Sequence, residues 1–175
     1  MANSNTNLTR DPLGGAGPFN FDLPVAGSTH VFEGTLISQL TANGAIAPYS
    51  TASSGVVVGV SQHEADNSSG GAGDKRCRVE SRRLYAFANG AGGDAFSEAS
   101  LIGSVVYGSD DHTVADNSAS GTRKAVGFFY GMESDGKVRV FVDPAMAAIV
   151  NALQVLTDSP ASADALRDNI TAAFG

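Results

Sequence analysis

The chain has 175 residues, of which 42% are hydrophobic, so it can form one domain with a core and is not a wholly disordered polypeptide. Its formal net charge of −7 opposes polyphosphate binding through the overall field, and it has no apolar run long enough for a transmembrane helix. Its single cysteine, Cys77, cannot form an internal disulfide, and zinc-site Cys/His spacings are absent. We therefore expect no cofactor, no nucleic-acid or membrane partner, and folding in a reducing cytoplasm.

Residues 1–28 are interpreted as an extended N-terminal arm. The segment shows no helical or strand period, and its three prolines restrict the backbone to extended conformations. It also lacks the basic and apolar regions of a secretory signal. One interpretation is a frayed terminus. The other is an arm whose apolar side chains, Leu13, Phe19 and Phe21, contact a neighbouring subunit or another protein.

Residues 29–142 are predicted to form a β domain. With 21 glycines and only 17% charged residues, the composition favours short strands joined by tight turns. Asn43-Gly44 predicts a hairpin with a type I′ turn, whose two central residues both need positive φ. Asp135-Gly136 predicts a second hairpin, in which Val138, Val140 and Val142 share one face. About seven to nine strands at this spacing favour a small antiparallel barrel or sandwich.

The segment from Arg76 to Phe87 carries a basic cluster on a predicted strand. Polar and apolar residues alternate along this segment, but near Arg83 the apolar residues no longer keep to one face of the strand. This change predicts a bulge or a strand that leaves the sheet there. Five of the eleven cationic residues lie in this region: Lys75, Arg76, Arg78, Arg82 and Arg83. Three interpretations stay open: docking onto an acidic protein surface, pairing with local carboxylates, or a solvated strand face.

Residues 143–175 are predicted to be a C-terminal helical segment. Asp143 is a suitable N-cap and Pro144 suits the first helical position. The apolar residues Ile149, Leu153 and Leu156 recur at helical spacing and are predicted to pack in an oligomer or to close the domain. Residues 157–160 end this helix and cap a second one, whose apolar residues are Leu166, Ile170 and Phe174.

Candidate catalytic and metal-binding groups are weak in this sequence. Ser61 and His63 would share a strand face, but no G-x-S-x-G motif surrounds the serine, so a polar surface pair is favoured over a hydrolase site. The acidic group Asp110, Asp111, His112 and Asp116 offers metal ligands, but it lies in a predicted turn, where aspartates cap the backbone. We therefore predict neither a catalytic nor a metal site.

The β-domain motifs resemble those of one known family. Its members show a G-V-A/V-G-V run, a glycine-rich loop before a strand, a "vYasDD.TVt" turn and a final hairpin with a DG turn. The matching segments here are Gly55 to Val60, Gly70 to Asp74, Val106 to Val114 and Gly127 to Val142. Over about residues 30–142, the chain resembles the capsid decoration (cement) proteins of tailed bacteriophages.

This resemblance implies a function as well as a fold. It implies a small β-barrel or sandwich domain without an active site, frequently trimeric, bound to the outer capsid surface where major capsid subunits meet. The capsid- or neighbour-binding residues would then be Leu13, Phe19, Phe21, Arg76, Arg78 and Arg82. The alternative is a carbohydrate- or host-receptor-binding module of a phage head or fibre, although the absence of tryptophan weakens it.

Overall fold

The computed structural model describes residues 17–52 and 55–158, with side chains described as far as residue 154. These ranges contain twelve strands and one α-helix. The strands are β1 (Phe19–Pro24), β2 (Thr29–Val31), β3 (Leu36–Gln39), β4 (Ile46–Pro48), β5 (Val56–Ser61), β6 (Ala65–Asn67), β7 (Arg76–Ser81), β8 (Arg83–Asn89), β9 (Val105–Gly108), β10 (Thr113–Ala115), β11 (Ala125–Met132) and β12 (Val138–Val142); the helix is α1 (Pro144–Asp158). The predicted fold class, mainly β with a barrel and a short C-terminal helix, is confirmed. More strands are present than the seven to nine predicted, because β2 and β6 have only three residues each, too few for an alternating pattern to stand out.

The strands form an open sheet and a closed barrel. The open sheet has the order β1-β7-β5-β3-β4, the barrel has the order β10-β8-β12-β11-β9, and β2 pairs with β6. Antiparallel pairing dominates, although β10 and β8 run parallel. Phe87, Phe129 and Val140 belong to the larger apolar cluster, whereas Ile37 and Val79 belong to a second one. The larger cluster joins the barrel to the open sheet, since it also contains Leu36 of β3 and Val60 of β5, whereas the smaller one contains no barrel residue.

Arg82 marks the point where the chain passes from the open sheet to the barrel. It separates β7 from β8 and has a φ of 56°, a left-handed conformation that L-residues rarely adopt. Its N–H donates to Val142 O at 2.7 Å and so fixes the switch to the last barrel strand. The predicted break in the basic strand is confirmed, one residue before Arg83.

The predicted type I′ turn at Asn43-Gly44 is wrong. Gly44 has a φ of 70°, but Asn43 is not among the residues with positive φ. The N–H of Leu40 donates to Ala45 O and the N–H of Gly44 donates to Leu40 O, which closes a four-residue loop rather than a two-residue one. The Asn43 side chain accepts the N–H of Ala45, so this asparagine stabilises the loop without adopting a positive φ.

The interpretation of residues 1–28 as an arm without a strand period is wrong from Phe19 onward. Residues Phe19–Pro24 form β1, which pairs along its whole length with β7. Phe19, Phe21 and Leu23 alternate with polar residues or proline, and Leu23 packs against the core of the open sheet. Pro24 is tolerated because it ends an edge strand, where a missing donor costs little.

Helix α1 follows β12 directly and begins as predicted. Asp143 Oδ1 accepts the N–H groups of Ala145 and Met146 at 3.0 and 3.2 Å, which is N-cap geometry. Asn151 Oδ1 accepts the N–H of Ala125 at 2.8 Å, so one helix face is attached to β11. Within the described ranges, no helix combines the length and apolarity that crossing a bilayer requires.

Candidate docking groove

A groove of about 320 Å³ lies between β1 and the start of α1. We call it the β1–α1 groove. It is lined by Phe19, Phe21, Ser81, Arg82, Asp143, Pro144, Ala145 and Met146. Three elements that are distant in sequence therefore meet here: the edge strand, the strand-switch residue and the helix N-terminus.

The apolar wall of the groove is formed by two phenylalanines of β1. Phe19 is 49% exposed and Phe21 is 41% exposed, although both stand opposite buried residues of β7, Ser81 and Val79. Large apolar side chains that are clustered and half exposed are typical of a binding surface. Met146 of α1 extends this apolar surface on the other side.

Arg82 supplies the positive charge of the groove. Its guanidinium carbon lies 4.9 Å from the ring centroid of Phe19, and its Nε lies 3.7 Å from Asp143 Oδ2. The Nε atom is buried and has no hydrogen-bond partner among the described residues. Because Asp143 uses its other oxygen to cap α1, the pair is held at ion-pair distance without a hydrogen bond. The side chain as a whole is 43% exposed, so the terminal N–H groups of the guanidinium, rather than the buried Nε, can donate to an acceptor on a bound partner.

The outer edge of β1 adds backbone hydrogen-bonding groups beside the groove. β1 stands at one end of the open sheet and, among the described strands, pairs only with β7. An unpaired strand edge is a template for an extended segment of another protein. The site thus offers an apolar surface, a cation and a strand edge to the same ligand.

The other basic residues are placed differently. Arg76 Nε donates to Asp22 Oδ2 at 2.6 Å, and Arg83 Nη1 donates to Glu80 Oε1 at 3.1 Å. For these two residues the structure shows pairing with local carboxylates, the second interpretation of the basic cluster. Arg78 is exposed and has no carboxylate within ion-pair distance in the described part of the chain.

The predicted binding residues are thus only partly brought together. Phe19, Phe21 and Arg82 share the groove, whereas Arg76 and Arg78 do not line it. Leu13 lies outside the described residues. Met146 also lines the groove, and although its apolar character is visible in the sequence, its place there is not, because the path of α1 past β1 is a tertiary feature.

Two residues of the predicted apolar stripe of α1 are substantially exposed. Ile149 and Leu153 are each 43% exposed, and the side chain of Leu156 is not described. Contact with the domain is made instead by Ala147, which is buried, and by Asn151. Leu153 also lines a depression beside Tyr107 of β9, and packing of the stripe in an oligomer or against the domain stays a prediction.

Ser61 has hydrogen-bond partners in the backbone of a neighbouring turn. Ser61 is buried; its Oγ donates to Phe32 O at 2.6 Å and accepts the N–H of Thr35 at 2.9 Å, and no hydrogen bond joins it to His63 in the described ranges.

Asp110, Asp111 and His112 present ligand atoms within 4.8 Å of one another, and Asp116 is not part of this group. Asp110 Oδ1 accepts the N–H groups of His112 and Thr113 at 3.0 and 2.7 Å, which is the turn-capping role that the sequence favoured. His112 Nδ1 lies 2.7 Å from Asp111 Oδ1.

Comparison with known proteins gives no match for this chain, either among protein-family models or among curated proteins.

Proposed function

We propose that this chain is a capsid decoration protein, a structural virion protein that binds the outer surface of a tailed-phage capsid. In this role it bridges major capsid subunits and stabilises the shell, acting as a homotrimer. The observation that carries the proposal is the β1–α1 groove, where Phe19, Phe21 and Arg82 meet beside a strand edge that no other described strand pairs with. The resemblance of residues 30–142 to decoration proteins supplies the class of partner.

The groove suits a partner that is presented many times on a lattice. Each phenylalanine is about half exposed, so covering it contributes on the order of 1 kcal/mol. Contacts of this size give weak binding singly, but a homotrimer on a repetitive shell makes several at once and gains effective concentration. A decoration protein of this kind needs only individually weak binding contacts and no catalytic group.

The partner segment is expected to be extended and to carry both an apolar side chain and an acceptor. Its backbone would pair with the outer edge of β1, and its apolar side chain would cover Phe19 and Phe21. A carboxylate or carbonyl oxygen next to that side chain would accept from Arg82. A loop of the major capsid protein at a subunit junction fits this description.

Binding to undecorated capsids tests the proposal. The double variant Phe19→Ser/Phe21→Ser removes the apolar wall and is expected to co-sediment with the shells at least about tenfold less well. The matched control is Leu101→Ser/Ile102→Ser, which removes two equally apolar side chains that are exposed outside the groove. This control is expected to bind like the original chain and to raise the temperature at which the shells disassemble.

Other outcomes would contradict the proposal. Equal loss of binding in both double variants would mean that general surface hydrophobicity, not the groove, drives association. No binding of the original chain to shells, together with selective binding to a glycan array, would instead support the carbohydrate-binding alternative. A native mass of one chain would remove the homotrimer from the proposal.

The N-terminal residues are tested separately. Deleting residues 2–16 leaves β1 intact, whereas a longer deletion would remove a strand of the open sheet. Reduced capsid binding by this deletion would assign a contact to the segment that contains Leu13. Unchanged binding would restrict the contact to the groove.

A further inference from the structure

A polar pocket of about 210 Å³ lies among three loops, which follow β4, follow β9 and precede β11. We call it the hydroxyl pocket. It is lined by Ser50, Thr51, Ser109, Asp110, Ala119, Thr122 and Arg123, of which four carry a hydroxyl group. At roughly 30 Å³ for each water molecule, the pocket has room for about seven waters or for one small organic molecule in their place.

Ser109 contributes a buried hydroxyl group to the wall of this pocket. The residue is 7% exposed, and its Oγ makes no hydrogen bond within the described ranges. Buried polar groups in folded proteins nearly always have a partner in the protein, in ordered water or in a ligand, because a missing hydrogen bond is destabilising. Since Ser109 lines the pocket, a molecule bound there can supply this partner once the hydroxyl rotates toward it.

Asp110 and Arg123 place one acceptor and one donor of opposite charge in the same pocket. Asp110 is 3% exposed and uses Oδ1 to cap its turn, whereas none of the described residues donates to its Oδ2. Arg123 donates from Nη1 to Asn117 and from Nη2 to Asp94. A guanidinium has five N–H groups, so Arg123 retains donors for a ligand.

The pocket wall before β11 is held in place from behind by Arg123. Ala119 and Ser120 have φ values of 48° and 56°, which are unfavourable for residues other than glycine. Asn117 Oδ1 accepts from Ala119 N at 3.1 Å and from Arg123 Nη1 at 3.0 Å, so the arginine fixes the loop as well as lining the pocket. A pocket whose wall is already fixed loses less conformational entropy when a ligand binds.

The charges of the pocket determine which chemical class of ligand it suits. A simple cation beside Asp110 would also approach the guanidinium of Arg123, and a simple anion beside Arg123 would approach the Asp110 carboxylate. A neutral compound with several hydroxyl groups avoids both repulsions. Because each of its hydroxyls both donates and accepts, it can donate to the carboxylate, accept from the guanidinium and pair with the serine and threonine hydroxyls.

We propose that the hydroxyl pocket binds one sugar unit of a neutral saccharide through its hydroxyl groups. Ligand hydroxyls donate to Asp110 Oδ2, accept from the free N–H groups of Arg123 and form a hydrogen bond with Ser109 Oγ. The proposal goes beyond the proposed function and does not rest on it, because the hydroxyl pocket and the β1–α1 groove share no lining residue. The chain would bind a capsid through one surface and a saccharide through another.

An NMR titration with simple probes tests this pocket. The backbone amide signals of Ser109, Thr122 and Arg123 are followed while the methyl glycosides of glucose, galactose and mannose are added one at a time. We expect at least one of them to shift these signals with a dissociation constant on the order of 1 mM, and to leave the amide signal of Arg82 in the groove unshifted. Methylammonium chloride and sodium acetate are the charged probes and are expected to bind at least about tenfold more weakly.

Two serine variants separate a ligand site from a structural effect. Ser109→Ala removes a hydroxyl that has no partner in the described structure, so we expect it to melt no lower than the original chain and to bind the glycoside about tenfold more weakly. Ser38→Ala is the matched control, because Ser38 Oγ is also buried without a described partner but does not line the pocket. It is expected to bind the glycoside like the original chain.

Asp110→Asn is a second variant of the pocket. The amide keeps an oxygen that can cap the turn but replaces the other carboxylate oxygen with a donor, so we expect glycoside binding to weaken about tenfold here as well. Unchanged binding by both Ser109→Ala and Asp110→Asn would overturn the proposal, as would equal loss in Ser109→Ala and Ser38→Ala.

The probes give two further outcomes that would contradict the proposal. The first is the absence of any shift with all of the glycosides at about 10 mM, well above the expected dissociation constant. The second is tighter binding of methylammonium or acetate than of every glycoside, which would make the pocket an ion site. Capsid co-sedimentation depends on other residues, so failure of either proposal leaves the other standing.

Discussion

The guanidinium carbon of Arg82 lies 4.9 Å from the ring centroid of Phe19. This contact connects the residue at which the chain changes sheets to the edge strand of the open sheet. A cation above an aromatic ring at an exposed site contributes about 0.5–1 kcal/mol. The contact also fixes the position of Phe19 in the β1–α1 groove, so the geometry of the fold and that of the proposed docking surface depend on the same side chain.

The backbone of Arg82 leads to a comparison of two variants. Arg82→Ala and Arg82→Gly both remove the guanidinium, but only glycine is unstrained at a φ of 56°. We expect Arg82→Gly to have a free energy of unfolding about 1 kcal/mol higher than that of Arg82→Ala in urea titrations. Equal stability of the two would show that the left-handed conformation is not retained once the side chain is removed.

Tyr85 is expected to stabilise the fold through its hydroxyl. The hydroxyl donates to Glu80 Oε2 at 2.5 Å and accepts from Gln62 Nε2 at 3.2 Å, and both Tyr85 and Glu80 are buried. Burial, and then the carboxylate of Glu80, raise the pKa of Tyr85 above its ordinary value. Tyr85→Phe removes the shorter of the two hydrogen bonds to Glu80 Oε2, which then keeps only the 3.2 Å bond from Arg83 Nη1. Because hydrogen bonds to a charged group contribute more than neutral ones, we expect a loss of about 1–3 kcal/mol in the free energy of unfolding.

The control for this variant is Tyr130→Phe on β11. Tyr130 is exposed, and its substitution is expected to change the free energy of unfolding by less than about 0.5 kcal/mol. A similar effect of both substitutions in the same denaturant titration would contradict a specific role for the Tyr85 hydroxyl.

Gly59 is predicted to tolerate no side chain. A Cβ at this position would lie 2.4 Å from Glu80 O of the paired strand, and the φ of 149° also disfavours L-residues. We expect Gly59→Ala to lower the free energy of unfolding by more than about 2 kcal/mol, because the backbone of β5 or β7 must shift. Gly93→Ala, where nothing lies within 4 Å of the added Cβ, is the control and should lower the midpoint of thermal unfolding only slightly.

Asp94 is expected to make stability dependent on pH in the acid range. Arg123 Nη2 donates to Asp94 Oδ2 at 2.7 Å, and this hydrogen bond is the main cause that lowers the pKa of the carboxyl below its ordinary 3.8. A lowered folded-state pKa stabilises the protein above pH 3.8, and this stabilisation is lost as the pH falls through the folded-state value. Asp94→Asn should therefore melt at a lower temperature than the original chain near pH 6, with a difference that shrinks below pH 3.8.

A double-mutant cycle checks the assignment to Arg123. If the two side chains act through each other, Asp94→Asn/Arg123→Gln should lose less stability than the sum of the single variants. Strict additivity at pH 6 would attribute the effect to another partner of Asp94, such as Asn117, whose Nδ2 donates to Asp94 Oδ1 at 2.8 Å.

The candidate site was predictable only in part, and its composition shows why. Phe19, Phe21 and Arg82 were identified by residue type, since apolar side chains in a polar segment and a cation in an acidic chain are visible without a structure. Arg76 has the same residue type as Arg82, but it is hydrogen-bonded to Asp22 of the adjacent strand and does not line the groove. That difference is set by strand register across more than fifty positions, which no local pattern encodes.

The sequence by itself determined the local structure of this protein: the break near Arg83, the hairpin at Asp135-Gly136 and the start of α1 at Asp143. These features depend on the alternation of side chains between strand faces, on turn residues and on helix capping, which all act over a few neighbouring residues. Only the tertiary structure decided that Phe19–Pro24 is a strand, that Gly44 closes a longer loop, and that Met146 meets Phe19 across a groove. Those outcomes depend on pairing and packing between distant segments, whose free energy appears only when the chain has folded.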